Sequence, residues 1–446
     1  MPGTSNGCEC TACRAATCSF HARRYRPSPN HIGKAGRKPA MPTPSSPTSG
    51  HPASAAQRTN PWQVSRRRSL VGLACALAAC TAAAGPKPGP QDDGVWTRLS
   101  SEGAPSARSA PVAAALRGSI YLFGGVKDDF RAGTNDFLND LHRYDVHANR
   151  WTRLVPAGDA PSPRAFTGGV AMPHRGWVVV FGGARYSADL SDFTPLGDVW
   201  AYDTRAGRWE ALSGVAPGGA PAPSPRAWPT VWRAGDQLYV FGGVEAGFRT
   251  LNDLWRFDVS TRTWTQLSPH GAPGSPPPRY SGAVTGEPWR GQIALYGGEA
   301  TTGQGGFVFL RDTWTFDLRT LAWRQATPAP GEDVDPPQNH GADALLGNGL
   351  LIAGGDQPGG ATGCGAQFNQ NPTNALWRLD LNTAAWRHLA PQGDVFPRIK
   401  RTSAATVMGE MYVFSGFGFN CEAGSGGQVW NTDVWRYTPP YRYWGH

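Results

Sequence analysis

One pattern recurs six times between residues 95 and 444. An apolar strand ends in a glycine pair or a close relative of one: Y-L-F-G-G to Gly125, V-V-F-G-G to Gly183, Y-V-F-G-G to Gly243, A-L-Y-G-G to Gly298, L-I-A-G-G to Gly355 and Y-V-F-S-G to Gly416. Successive copies lie 55 to 61 residues apart. Each is followed by a second strand: N-D-L-H-R-Y-D from Asn139, G-D-V-W-A-Y-D from Gly197, N-D-L-W-R-F-D from Asn252, R-D-T-W-T-F-D from Arg311, N-A-L-W-R-L-D from Asn374 and T-D-V-W-R-Y-T from Thr432. Six residues beyond the last position stands a tryptophan in every copy: Trp151, Trp209, Trp264, Trp323, Trp386 and Trp444.

A period near 57 residues with four strand-like segments means repetition of one supersecondary unit. The diglycine strand is apolar on both faces, so the sheet that holds it has to be covered on both sides. A ring of sheets standing face to face supplies that cover and leaves only short edges. The expected fold is therefore all-β, a six-bladed β-propeller with four-stranded blades. Glycine pairs suit strand ends that need positive φ or close backbone approach. The recurrent Asp145, Asp203, Asp258, Asp317 and Asp380 suit side-chain caps of the turn into the outer strand.

Diglycine, spaced aromatic and tryptophan together resemble kelch repeats, and the resemblance covers residues 96–444 almost without a gap. Trp96-Thr97-Arg98-Leu99 repeats Trp151-Thr152-Arg153-Leu154, so an outer strand arrives before any blade has begun. Pairing that strand with the sixth blade closes the ring. Trp444 competes for the same place, but the sixth repeat has Thr438-Pro439-Pro440 in place of the aspartate turn. The N-terminal strand is the expected closure.

In such blades the loops joining second to third strands share a face with the connectors between blades, and both are long here. Binding is expected on that face. Each connector ends near an arginine at the start of the innermost strand: Arg108, Arg164, Arg226, Arg279, and Arg398 or Arg401, with Gln338-Asn339-His340 at that place in the fifth blade. Guanidiniums ringing a mouth would take carboxylate or phosphate. The competing expectation is that each pairs with a loop carboxylate and holds the fold. The acidic clusters Asp128, Asp129, Asp136, Asp140 and Asp189, Asp192, Asp198 read as solvated loops before calcium sites. No metal or cofactor is expected. Resemblance to galactose oxidase implies no copper chemistry, because paired histidines and a cysteine in a copper-like setting are missing from this chain. Resemblance to six-bladed sialic-acid mutarotases implies an acidic sugar as substrate, with Glu245 and Glu299 the acids to test. Two functions follow: a non-enzymatic scaffold recognising a protein or glycan, or a mutarotase-like enzyme.

The net charge of +9 suggests a polyanion partner until it is divided along the chain. Residues 1–80 hold 11 of the 42 Lys/Arg and one acid, Glu9, leaving 31 basic against 32 acidic residues beyond. The repeats therefore carry no field to attract nucleic acid. Cysteine divides the same way, with only Cys364 and Cys421 after Cys80. They fall in the long loops of blades five and six. One disulfide between them is expected in an exported chain, with two buried thiols the alternative.

Residues 65–80, S-R-R-R-S-L-V-G-L-A-C-A-L-A-A-C, combine a basic start, a short apolar run and small residues before a cysteine. This is a secretory signal, too short to span a bilayer. Leu77-Ala78-Ala79-Cys80 resembles the lipobox of bacterial lipoproteins, and Ser65-Arg66-Arg67 a twin-arginine signal. Residues 81–94 read as a flexible linker. Thr81 after the cysteine is not an aspartate, which by resemblance to Gram-negative lipoprotein sorting implies the outer membrane. Residues 1–64 have no apolar period and read as disordered, or as an extension upstream of a true start near Met41. The expected product is a monomeric envelope lipoprotein carrying residues 95–446 as its propeller. Mass spectrometry of the mature protein should find an acylated cysteine at Cys80 as the first residue; a free N-terminus elsewhere overturns the anchor.

Overall fold

The computed structural model describes residues 92–99, 102–129, 132–187, 191–213, 221–302, 306–327, 336, 339–361, 370–420 and 427–440. They form the all-β architecture the repeats demand: six antiparallel blades, each four strands from the axis outward. Blade one runs Val112–Leu116, Ser119–Asp129, Thr134–Asp145, Arg150–Leu154. Blades two to five repeat the order. Blade six takes three strands from the C-terminal repeat, Ser403–Val407, Glu410–Phe414 and Val434–Thr438, and its fourth from Val95–Leu99.

The closure is therefore the one expected. Val95 pairs with Thr438, Trp96 with Tyr437 and Leu99 with Val434. A short strand, Gln392–Gly393, runs parallel to Val95 and Trp96 on the outside, which adds a fifth strand to this blade alone. Trp444 lies outside the described residues.

A blade apolar on both faces cannot bury itself, and the core divides accordingly. Six buried clusters each join two neighbouring blades, including Ile120, Leu122 and Trp151 of blade one with Tyr412, Phe414 and Val434 of blade six. The tryptophan of one blade packs on the ring that precedes the glycine pair of the blade before it. Centroid distances are 4.9 Å for Trp209 on Phe123, 5.3 Å for Trp264 on Phe181 and 4.9 Å for Trp323 on Phe241. They are 4.5 Å for Trp386 on Tyr296 and 5.4 Å for Trp151 on Phe414. Blade five has Ala353 at this place, and the connector residue Phe396 stacks on Trp96 at 4.5 Å instead.

The glycine pair is the hinge of each blade. Gly124 and Gly125 have φ of 67° and 103°. A Cβ on Gly124 would lie 2.8 Å from the Arg164 carbonyl of the next blade, and one on Gly125 2.9 Å from the Ser109 carbonyl. The Gly125 N–H donates to the Arg164 carbonyl at 2.9 Å, and Gly183, Gly243, Gly355 and Gly416 make the equivalent bond to the next blade. Beyond the pair, strands two and three continue as hairpins on one face of the ring. At the opposite face Asp145, Asp203, Asp258, Asp317 and Asp380 each accept two backbone N–H bonds and cap the turn into the outer strand.

Trp96→Ala removes a nearly fully buried ring from the seam. It should lower the unfolding free energy by about 3–5 kcal/mol. Denaturant titration followed by tryptophan fluorescence measures this, and an unchanged midpoint would refute the seam.

Candidate functional site

Of the connector arginines, Arg401 stands at the mouth and four others do not. Arg108, Arg164, Arg226 and Arg279 lie inside the blade walls, each at 1% exposure or less. Each makes a two-pronged bond with an aspartate five residues before the capping aspartate of the third strand: Arg108 with Asp140, Arg164 with Asp198, Arg226 with Asp253 and Arg279 with Asp312. The Nη1 contacts are 2.5–2.7 Å and the Nη2 contacts 2.7–3.0 Å. Nη1 also donates to the carbonyl of the first glycine, at 2.8–3.2 Å, and Nε to a connector carbonyl two residues back. The indole N–H of Trp200, Trp255 or Trp314 donates to the same carboxylate, and the His142 ring bonds Asp140. The guanidinium thus ties connector, glycine pair and third strand into one node.

Burial pushes these carboxyls up. The arginine's hydrogen bonds and charge outweigh it, so all four sit below the ordinary aspartate range. The pattern was present in the third-strand motifs: where the connector has arginine the motif has N-D, G-D, N-D or R-D, and blade five, with Gln338 at the arginine position, has Ala375. Blade six has Ile399 at that position, and its Asp433 pairs with Arg98 of the closing strand at 2.8 Å. Arg398 donates to the Pro372 carbonyl at 3.0 Å. Cys80, Cys364 and Cys421 lie outside the described residues, as does Asp189. Asp128, Asp140 and Asp198, from the acidic clusters, each face a guanidinium.

The mouth itself is formed two residues further along each connector. Ala110, Phe166, Trp228, Ser281, His340 and Arg401 hold equivalent positions, and all six have left-handed φ between 49° and 57°. Their backbones bond head to tail around the axis: Phe166 N–H to Ala110 carbonyl, Trp228 to Phe166, Ser281 to Trp228, Arg401 to His340 and Ala110 to Arg401, at 2.7–3.2 Å. Between blades four and five the Ser281 hydroxyl and His340 Nδ1 bond at 2.8 Å. Left-handed φ strains a residue bearing a side chain by roughly 1–2 kcal/mol, and glycine would relieve it. None of the six is glycine. Sequence reasoning reached Arg401 and His340 by their chemistry and passed over the other four, because a ring of backbone bonds leaves no composition signal.

The rim is divided in character. On blades one to three, aromatic rings form a continuous shelf: Phe166 lies 4.0 Å from Trp228, Phe193 stacks on Phe248 at 4.6 Å, and Phe137 meets Tyr186 at 5.0 Å. On blades four to one, charges are buried and cross-linked. His340 Nε2 bonds Glu299 at 3.0 Å, Tyr280 donates to the same carboxylate, and Lys400 pairs with Asp356. Arg401 bonds Asp128 at 2.9 Å, and Tyr186 donates to Asp128 at 2.8 Å. Burial raises the Glu299 carboxyl, but the His340 charge and bond overcome it and hold it at about 2. Glu245 accepts from Ser224 at 2.8 Å and pairs with Arg249. Below the rim an open channel of about 340 Å³ follows the inner strands.

Asp140, Asp198, Asp253 and Asp312 contribute their stability above the unfolded aspartate value of about 4, and it is lost as pH falls through the lower folded values. At pH 7, Arg226→Ala should cost about 3–5 kcal/mol, whereas Arg226→Met with Asp253→Leu should recover most of it. Urea titrations of the three proteins test this; equal losses in both variants would place the arginine's importance elsewhere.

Comparison with known proteins agrees with this architecture. The KLHDC2/KLHL20/DRC7 Kelch-repeats domain matches residues 91–230 and 215–416. Host cell factor 1 of Rattus norvegicus is 26% identical over 340 residues, which is 70% of this chain and 15% of that protein. Acyl-CoA-binding domain-containing protein 5 of Arabidopsis thaliana is 28% identical over 60% of this chain and 39% of its own length. Rab9 effector protein with kelch motifs of Bos taurus is 36% identical over 37% of this chain and 41% of its own. The matched region spans less than half of each of these relatives. The repeats, the ring and the extent of the match place the chain in the kelch-repeat family.

Proposed function

We propose that the protein is a non-enzymatic recognition propeller that binds a protein ligand on the face carrying the rim, the hairpins and the connectors. One observation carries this reading: six strained rim positions keep side chains where glycine would be cheaper, and those side chains differ from blade to blade. Such strain persists where the side chain is wanted. Kelch propellers are typical of protein-interaction scaffolds, and the bovine relative is named as the effector of another protein. Half-buried aromatics such as Trp228, Phe193 and Phe248 have the chemistry of interface anchors.

A glycan could stack on the same shelf, so glycan recognition remains the second form of this reading. The mutarotase-like alternative needs guanidiniums open to a sugar carboxylate and an acid able to give up a proton. Arg108, Arg164, Arg226 and Arg279 are committed to aspartates, and Glu299 at about 2 is ionised at neutral pH. Both facts weigh against these four arginines and Glu299 as a catalytic set.

The same proposal places the propeller, residues 95–446, at the bacterial envelope. Residues 65–80 serve as export signal, Cys80 as lipid anchor and the stretch from residue 81 to the docked Asp93 as tether, with residues 1–64 outside the mature chain.

Photo-crosslinking from a reporter amino acid at position 248, in the envelope of the native host, tests the reading. One adduct of defined mass should form with the parent and fall at least tenfold in a Trp228→Ala, Phe193→Ala variant that melts as the parent does. Adducts insensitive to those changes would refute a rim-centred interface. Saturable binding of free sugar acids, lost in Arg164→Ala without loss of fold, would favour the enzyme.

A further inference from the structure

The inner strands line the channel with small residues: Ala113, Ala115, Gly169 and Ala171 on blades one and two, Ala404 on blade six. Blade five breaks the pattern with Asp343, the third residue below the rim. Its Oδ2 accepts the Val284 N–H from blade four at 2.9 Å. It forms no ion pair among the described residues. Beside Val284, Thr285 also lines the channel; it is 3% exposed and its hydroxyl has no hydrogen-bond partner. Buried polar groups are ordinarily satisfied, and a buried carboxylate ordinarily has a cation. Here one wall of the channel offers a half-buried carboxylate with no cation beside it among the described residues, opposite walls of alanine and glycine, while the Thr285 hydroxyl is sealed behind that wall.

We infer that the channel is a binding site for a protonated primary amine on a short alkyl stem, its ammonium held by Asp343 and its stem by the alanine-lined wall. An ammonium supplies three donors, of which one or two suit the Asp343 carboxylate and the rest the water of the open channel. A cavity of about 340 Å³ lies at the small end of ligand sites and admits such a stem. The site is separate from the protein-recognition reading: an amine can enter the channel whether or not a protein docks on the rim. The amine has two possible sources, a free metabolite or a lysine side chain reaching in from a partner, and the chemistry is shared.

The carboxyl adds a pH signature. Burial holds Asp343 up at about 6. Folding stability from the protonated form is therefore present below the unfolded value and lost as pH rises through about 6. A cation binds the ionised form, so its affinity rises across the same range. The other charged groups lining this cavity are His340 and Arg401 at the rim and the Arg233–Glu287 pair.

Isothermal titration of the full chain with n-butylammonium chloride at pH 7.5 and pH 5, with n-butanol as the neutral isostere, tests the inference. The ammonium should bind at least tenfold more tightly than the alcohol at pH 7.5 and weaken at least fivefold at pH 5. Asp343→Asn should lose at least tenfold in ammonium affinity and all pH dependence, while melting at or above the parent temperature at pH 7.5. A parallel titration with Nα-acetyl-lysine amide separates the sources: binding equal to butylammonium supports an incoming lysine, and binding of butylammonium alone supports a free amine. Equal affinity for alcohol and ammonium, or an Asp343→Asn protein that binds as the parent does, overturns the inference.

Discussion

Every blade depends on a neighbour's ring. A sheet with two apolar faces has no stable existence alone, and the six clusters that fill this protein lie between blades, not within them. The contact that sets blade spacing is the tryptophan of one blade against the aromatic before the preceding glycine pair. That single contact explains why the two motifs recur together. Where the aromatic is missing, at Ala353, a connector residue takes its place, so the requirement is for a filled slot and not for a particular position in the chain.

Charge plays a second, narrower role. Four guanidiniums buried in the walls satisfy connector, glycine carbonyl and third strand at once, and their aspartates are held ionised there. A buried pair of this kind is weak evidence for stability, since desolvation cancels much of the attraction. Its geometric contribution is clearer. By fixing the connector, the pair fixes the residue two places on, which is the rim residue with left-handed φ. The functional face is thus positioned by groups that do not touch it.

Much of the fold was legible because repetition multiplies each signal five- or sixfold: among the described residues, glycine pairs, aspartate caps and tryptophans sit where their spacing put them. Closure through Trp96 followed from an extra copy of the outer strand. The site was less legible. The arginines stood out by charge, and their burial depends on Asp140, Asp198, Asp253 and Asp312, acids some thirty residues away whose covariation within the chain was the available clue. The rim belt left no such clue, because all its bonds but the Ser281–His340 one are between backbones and its residues share nothing except conformation. Asp343 was equally silent: one aspartate in an apolar strand, given meaning only by the axis it faces.

The seam at Val95–Leu99 has a consequence for the order of assembly. This strand is synthesised before any blade, and its partner, Val434–Thr438, is synthesised after all the others. The Tyr437 hydroxyl that reaches the Asp93 carbonyl does so across 344 residues. Loop closure over such a length adds little to the entropy already lost, but it delays the rewarding contact until the sixth blade has been made. Five blades can therefore stack while the first strand waits unpaired, and the ring becomes cooperative only when its two ends meet.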